Sequence, residues 1–409
     1  MQTAIILSSV ATSLFGLYFI VIAALGAFKK PKIHPFSDPS RRLAAVIAAR
    51  NEEPVIGQLV ESLMDQRYPR ELFDVFVIVN NCTDDTSGAA ERAGAKVIEC
   101  TIPTKTKGEV LNFAFGALVD LDYDAFVIFD ADNVVHPGFF QAVNNARAAG
   151  IITAQGFRDS KNADDNWIAG GTATFYWGMC RLYNRARNNL GMSCALNGTG
   201  LMVSVQLLRD IGWGFHTLCE DLEFSAQCAL SGTKIGWMED AITYDEQPVK
   251  FTDSFVQRRR WTAGTFQCFK RYGRRLLKRA VSHRSTHCMD MLVVFTGTIV
   301  QLLCFIPPVL VTVSYAMLAA NGLPAWMGYL RFIAMMALGM TIVPIAISLV
   351  IGIAVKKMSK KRLSAVLLFP VYVTTWMIAN VLCLFTRPPK WKHIRHGSTA
   401  NPLKDGIPL

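Results

Sequence analysis

The segment Ala125-Phe126-Val127-Ile128-Phe129-Asp130-Ala131-Asp132 carries a strong signal of fold class. Five apolar residues form a short buried strand, and two acids flanking a small residue close it. Upstream, Leu43–Ala49, Val75–Val79 and Lys96–Glu99 read as three more strands. Between them lie a helical pattern through Leu59, Leu63 and Met64, a helix that Asp84-Asp85-Thr86 can cap, and a helix over Glu109–Val119. Strands that alternate with helices predict an α/β domain with a parallel sheet covered on both faces. Ligands of such sheets bind outside the carboxyl ends of the strands. Asn51, Asn80 and Asp130 all fall at those ends.

Two carboxylates spaced like Asp130 and Asp132 can hold a hard divalent cation against a diphosphate. The competing reading is a turn with two solvated acids. Three further motifs follow in order. Lys107-Gly108 lies between two elements, where a lysine reaches phosphate or simply meets water. Glu220-Asp221 opens an apparent helix, as a general base or as a cap whose charge the helix dipole favours. Gln257-Arg258-Arg259-Arg260-Trp261 begins a basic tract that continues to Arg279. With Phe266, Phe269, Tyr272, Leu276 and Leu277 among its cations, the tract reads as an amphipathic helix on a membrane surface. Either all of it, Trp261 included, is a lipid contact, or Arg260 faces a diphosphate while Trp261 stacks on a sugar.

The chain is 51% hydrophobic yet 18% charged, the mixture expected of a folded domain joined to membrane segments. Residues 3–27 are uncharged, long enough to span a bilayer, and followed by Lys29, Lys30, Pro31 and Lys32 rather than a small-residue cleavage site. They predict a retained anchor. Further apolar stretches occupy 291–320, 329–355 and 363–386, with a break expected at Pro307-Pro308. Cations after the first stretch and at Lys356–Arg362 place the middle domain in the cytoplasm and Asn321–Tyr329 outside, as a multi-pass protein of the cell membrane. A single crossing by 363–386 would put the cationic tail outside. We therefore expect a re-entrant hairpin at Pro370 and a cytoplasmic tail. The net charge of +11 is explained by cations beside apolar segments, which attract anionic lipid, and does not call for nucleic acid. The ten cysteines include no CxxC pair, and seven lie within 82–268, so free core thiols are expected.

Taken in order, the four motifs resemble those of the membrane-integrated family 2 glycosyltransferases, the group that contains cellulose, chitin, hyaluronan and poly-N-acetylglucosamine synthases. The resemblance implies a GT-A (Rossmann-like) fold flanked by transmembrane and interfacial helices, inversion at the anomeric carbon, and Mg2+ or Mn2+ as cofactor. It implies that Asp130 contacts the nucleotide, Asp132 the metal, and that Asp221 is the general base. Gln257, Arg260 and Trp261 match the QxxRW motif bordering donor and acceptor. Asn197-Gly198-Thr199-Gly200 resembles the acceptor-side loop, beside Glu220, and Lys107 would lie near uridine diphosphate. Asn80 stands where the family carries a uracil-binding aspartate; its amide can still accept a bond from uracil N3–H.

The expected organisation is an N-terminal membrane helix over 1–28, a cytoplasmic GT-A domain over 29–256, a basic interface segment over 257–288, and a membrane region with cytoplasmic tail over 289–409. The expected activity is sugar transfer from a UDP-sugar to a growing polysaccharide. The alternatives are single-sugar transfer to a membrane lipid, or an inactive scaffold.

Overall fold

The computed structural model describes residues 2–321, 326–386 and 402–403. Helix α1 (Gln2–Gly26) precedes a sheet of eight strands in the order β3-β2-β1-β4-β7-β6-β8-β5. The strands are β1 (Leu43–Ala49), β2 (Phe73–Val79), β3 (Lys96–Glu99), β4 (Ala125–Asp130), β5 (Val134–Val135), β6 (Thr153–Ser160), β7 (Leu201–Ser204) and β8 (Gly236–Asp245). Helices α2 (Glu53–Met64), α3 (Thr86–Arg92), α4 (Lys107–Leu118) and α5 (Phe139–Ala148) alternate with the early strands. Asp84, not the N-cap residue Asp85, accepts from the Thr86 backbone N–H (3.2 Å) to cap α3.

Successive side chains of a strand face opposite ways, so each buried strand feeds two cores. Leu43, Ala45 and Ile47 of β1 pack with Ile56, Leu59 and Leu63 of α2 and Phe139 and Phe140 of α5. Ala44 and Val46 pack with Leu111, Ala114 and Phe115 of α4 and with Phe224 and Cys228 further on. All ten cysteines are free thiols, seven of them buried.

The parallel sheet predicted from sequence holds for β3-β2-β1-β4, and β6 pairs β8 in parallel as well. β7 runs antiparallel to both β4 and β6, and β5 antiparallel to β8. The reason is where the chain enters. The Asn197–Gly200 turn delivers Leu201 opposite Ile128, at the carboxyl end of β4, so β7 must run back toward Ala125. Half of the sheet is therefore mixed.

Helix α6 (Trp167–Gly178) continues through a π-helical stretch, Met179–Arg185, into α7 (Ala186–Asn189); α8 (Val205–Ile211) and α9 (Glu220–Ser231) follow. Helix α10 (Phe251–Ser282) is continuous, so position 257 lies in its second turn rather than at a boundary. Then come α11 (Thr286–Leu303), α12 (Ile306–Ala320), α13 (Trp326–Ala354) and α14 (Leu363–Phe385). The break between α11 and α12 falls at Cys304-Phe305, just before Pro307-Pro308 as expected. Among the described residues, Thr3–Gly26, Thr286–Ala320, Trp326–Ala354 and Lys360–Phe385 are each long and apolar enough to cross a membrane.

The hairpin expected at Pro370 is absent: α14 is one unbroken helix through it. Proline inside a helix is tolerated where neighbouring elements compensate, and Pro370 is buried between Phe369 and Tyr372, on the side of α14 that Ala365 and Tyr372 press against Gly170 and Gly171 of α6. The segment that would have returned the chain to its starting side is thus a single continuous helix. The tail 387–409 lies outside the described residues except for 402–403, as do 322–325 of the loop expected outside.

A buried clasp ties the sheet domain to α1 and α11. Arg187 of α7 is fully buried and donates to Asp290 of α11 through Nε (3.1 Å) and Nη2 (2.9 Å). Tyr18 of α1 donates to the same carboxylate. Removing one partner of a buried pair strands the other charge. Asp290→Asn should therefore destabilise the protein by about 3 kcal/mol. Thermal unfolding in detergent checks this, and an unchanged midpoint would show that the clasp contributes nothing.

Candidate active site

A cleft of about 850 Å3 opens at the carboxyl ends of β1, β2 and β4. Asn80, Lys107, Asp130, Asp132, Asn197, Gly198, Glu220, Asp221, Gln257, Arg260 and Trp261 all line it. Motifs up to 181 residues apart in sequence, Asn80 and Trp261, meet here because α4, α9 and α10 all bring their N-terminal turns to the same rim.

Lys107 is the first residue of α4, whose start is fixed by a capping box between Thr106 and Glu109. Its ammonium donates to Asp130 Oδ1 (2.5 Å) and to the Gly198 carbonyl (2.7 Å) and lies 3.8 Å from Glu220 Oε1. Burial disfavours that charge, but Asp130 and Glu220 outweigh it and hold the Lys107 pKa above its ordinary value. Burial likewise works against the Asp130 carboxylate, and Lys107 and Arg158 prevail, lowering its pKa. The neighbouring Gly108 is required sterically: a Cβ there would sit 2.9 Å from Phe215 and 3.2 Å from the Glu220 Cβ.

Asp130, Asp132 and Asp245 bring one carboxylate oxygen each to within 4.8 Å of one another. Burial and then the charges of Asp245 and Asp130 push the Asp132 pKa well above the usual carboxylate range. Three convergent oxygen ligands, one of them in a setting that disfavours its charged form, make a donor set that fits a hard divalent cation. Asp245 is also anchored from behind. Arg158, buried on β6, donates to its Oδ2 through Nε (2.8 Å) and Nη2, and Gln247 Nε2 adds a third bond (2.9 Å).

Asp221 sits in the first turn of α9, where a helix dipole would favour its charge. The opposite prevails. Burial, followed by repulsion from Glu220, pushes its pKa up to about 7, against the Leu222 N–H, Lys107 and Arg158. A Cβ on Gly198, whose φ is +83°, would lie 3.4 Å from Asp221 Oδ2, so the Asn197–Gly200 turn passes directly over this carboxylate.

Thr199, expected on the acceptor side, does not line the cleft. It is fully buried, donates to Asn133 Oδ1 and accepts from the Asp130 N–H (3.1 Å), bracing the Asp130–Asn133 turn from behind. Trp261 lines the cleft with its ring 6.2 Å from Phe175, 5.8 Å from Tyr176 and 5.7 Å from Trp376. Asn80 Nδ2, Asn197 Nδ2 and Gln257 Oε1 are buried without a hydrogen-bond partner, the state of groups that meet a ligand.

Arg158 and Asp245 escaped the sequence reading. Asp245 carried a usable signal, since Asp245-Glu246 ends a strand as Asp130 does. Arg158 carried a weaker one, a lone cation inside β6.

Residues 39–264 match the family model described as glycosyltransferase like family 2. The chain is 25% identical over 243 residues to a beta-monoglucosyldiacylglycerol synthase of Synechocystis sp., covering 58% of this chain and 50% of that protein. It is 26% identical over 176 residues to a UDP-forming cellulose synthase of Dictyostelium discoideum, covering 41% of this chain and 16% of that protein. The chain spans about half the length of the first of these relatives. Among solved structures, a mannosyltransferase from Pyrobaculum calidifontis in complex with GDP-Man and Mn2+ superposes with a TM-score of 0.61 at 18% identity, covering 93% of this chain and 98% of that one. That likeness gives the fold, a GT-A glycosyltransferase domain with apolar helices at its ends. With the family model spanning more than half of its 409 residues, the chain belongs to the family 2 glycosyltransferases.

Proposed function

We propose that this enzyme transfers a single sugar, with inversion, from a nucleotide-sugar donor to a membrane lipid, the alternative to the polysaccharide reading. One observation carries the choice: the way onward from Trp261 is filled. Phe175, Tyr176 and Trp376 pack around its ring. Behind it, Thr262 donates to Asn380 Oδ1 (2.7 Å) and Asn380 Nδ2 to Gln301 Oε1 (2.6 Å), closing the seam between α10, α14 and α11. A polymer lengthened at Trp261 needs a conduit there, whereas a lipid acceptor does not. The monoglucosyldiacylglycerol synthases among the relatives agree with this reading.

In the proposed reaction the Asp221 carboxylate takes the proton of the acceptor hydroxyl as its oxygen bonds to the anomeric carbon. The bond from that carbon to the diphosphate oxygen breaks, and the nucleoside diphosphate leaves with the electron pair. Lys107 and Arg260 offset its charge. A divalent cation, Mg2+ or Mn2+, held by Asp130, Asp132 and Asp245 would supply further charge neutralisation. Trp261 orients the sugar, and Gln257, Asn197 and Glu220 face donor and acceptor. The catalytic domain works on the cytoplasmic side, where nucleotide sugars are made. The test is to incubate detergent-solubilised protein with radiolabelled UDP-sugars, Mn2+ and diacylglycerol, then size the product. A lipid carrying one or two sugars supports the proposal; a long glycan overturns it in favour of a polysaccharide synthase.

For the donor we favour UDP. Asn80 stands at the end of β2, its Oδ1 accepting from Asn81 (3.2 Å) and its Nδ2 unpartnered. Against the uracil edge such an amide can donate and accept. Asn80→Ala should weaken UDP binding by about fivefold to tenfold, the worth of one hydrogen bond. Asn80→Asp should retain or improve it through a charged acceptor. Calorimetric titration with UDP checks this; no change in either variant would remove Asn80 from the base site.

A further inference from the structure

Helix α9 opens without a side-chain cap: its N-cap residue, Cys219, makes no capping hydrogen bond. The buried backbone N–H groups just ahead of it still need acceptors. They find one in Glu223, a turn into α9 and fully buried. Its Oε2 accepts from the N–H of His216 (2.9 Å) and of Thr217 (2.8 Å), and its Oε1 from the Tyr272 hydroxyl of α10 (2.7 Å). Arg271 Nε stands 3.7 Å from Oε1 and offsets its charge. A capping box places its acid at the third helical position, from which it reaches the N-cap. Here the acid is at the fourth and reaches past the N-cap, to the strap of residues 212–219 that joins α8 to α9.

That strap joins the three helices whose first turns meet at the cleft. Phe215 packs on Gly108, beside Lys107 of α4, where a Cβ would lie 2.9 Å from the Phe215 ring. Leu218 donates its N–H to Gln267 Oε1 of α10 (2.9 Å), and the Cys219 thiol donates to the carbonyl of Trp261 (3.6 Å). Gly264 permits that approach, since a Cβ there would lie 2.9 Å from the Cβ of Cys219. Glu220 and Asp221 follow directly. The Asp221 carboxylate bonds locally, its Oδ1 accepting from the Leu222 N–H (2.7 Å), so its position toward Lys107 and Trp261 follows from where the strap lets α9 begin. We propose that Glu223 is a positioning residue for sugar transfer: by gripping the strap it sets Asp221 between the Lys107 turn and Trp261. Glu223 does not itself line the cleft. The inference rests on the reading of Asp221 as the base and holds for either class of acceptor.

Two variants of the full, detergent-solubilised chain separate reach from charge. Glu223→Gln keeps the length and an oxygen that can accept both strap N–H groups, but loses the charge. Glu223→Asp keeps the charge and falls one methylene short of the strap. Glu223→Gln should retain kcat within about fivefold of wild type, the cost of weakening these bonds without breaking them. Glu223→Asp should lower kcat about thirtyfold, the cost of losing charge-assisted bonds, and leave UDP affinity by calorimetry within about twofold. Wild-type kcat in Glu223→Asp overturns the proposal, as does a Glu223→Gln equally impaired, or a UDP affinity that falls in step with kcat. Asp221→Asn, measured alongside, tells two failures apart. If it loses transfer while Glu223→Asp does not, the positioning role alone falls; if it keeps transfer, the base and its positioning fall together. Should Glu223→Asp fail to fold, hydrogen exchange in wild type decides. The peptide 212–219 should be protected as α9 is, and exchange at the rate of an exposed loop overturns the proposal.

Discussion

Asp221→Asn should lower the rate of sugar transfer by about two to four orders of magnitude while leaving donor binding within twofold of wild type. The side chain keeps its size and can still hydrogen-bond, so the variant removes only the ability to accept a proton. The environment explains why this residue suits the task. A base works best when its pKa lies near the operating pH. Burial beside Glu220 moves Asp221 from the ordinary carboxylate range to about 7, against the pull of Lys107 and Arg158. The sign of the pH dependence follows. Below about pH 7 the carboxylate is protonated and cannot take the acceptor proton, so kcat/KM should rise with pH and level off above that value. Glu220→Gln removes a neighbouring negative charge and should move the rise to lower pH. A mutant Asp221→Asn within tenfold of wild type would falsify the assignment and leave the residue as a helix cap. An acid limb that does not move in Glu220→Gln would mean that another group titrates.

The sequence made the first four strands and the strand-end acids legible because both depend on local pattern. The run Ala125–Phe129 is short and rich in β-branched and aromatic residues, which favours a strand, and Asp130 follows it directly. Lys107, Glu220 and Arg260 were findable because each begins or lies near the start of a helix with its own signal. What pairs across the fold was not. Arg158 and Asp245 lie 87 residues apart, and only the parallel pairing of β6 with β8 makes them neighbours. The inward turn of Thr199 depends on Asn133, 66 positions away. Pro370 misled for the same reason: its local effect is to break a helix, and the packing of α14 on α6, set by Gly170 and Gly171, prevails. The antiparallel course of β7 rests on where one turn delivers it, which no periodicity records.

Asp132→Ala should abolish transfer and should leave the metal-free fold no less stable than wild type to within about 1 kcal/mol. Removing a buried charge can strand what it bonds. Asp132 Oδ1 accepts from Asn133 Nδ2 (3.3 Å), which keeps its bond to Asp245 Oδ1 (3.1 Å). Here the carboxylate is itself the crowded one, its pKa raised first by burial and then by Asp245 and Asp130. Its folded-state pKa therefore exceeds its unfolded one, so folding takes up a proton. That contribution is present at low pH and is lost as pH rises through the raised value. In excess chelator, wild type should lose stability with rising pH over this window, and Asp132→Ala should lose less. Added Mn2+ should stabilise wild type and not the variant, since ion binding to the folded state alone raises its apparent stability. Asp245→Asn makes a useful contrast. It should also impair transfer, but it deprives buried Arg158 of its partner carboxylate and should cost about 3 kcal/mol in stability besides. Thermal unfolding of the three proteins with chelator and with Mn2+, alongside transfer assays, separates the two roles. Full turnover in excess chelator would remove the metal from the reaction, and a strongly destabilised Asp132→Ala would show that the carboxylate serves the fold rather than the ion.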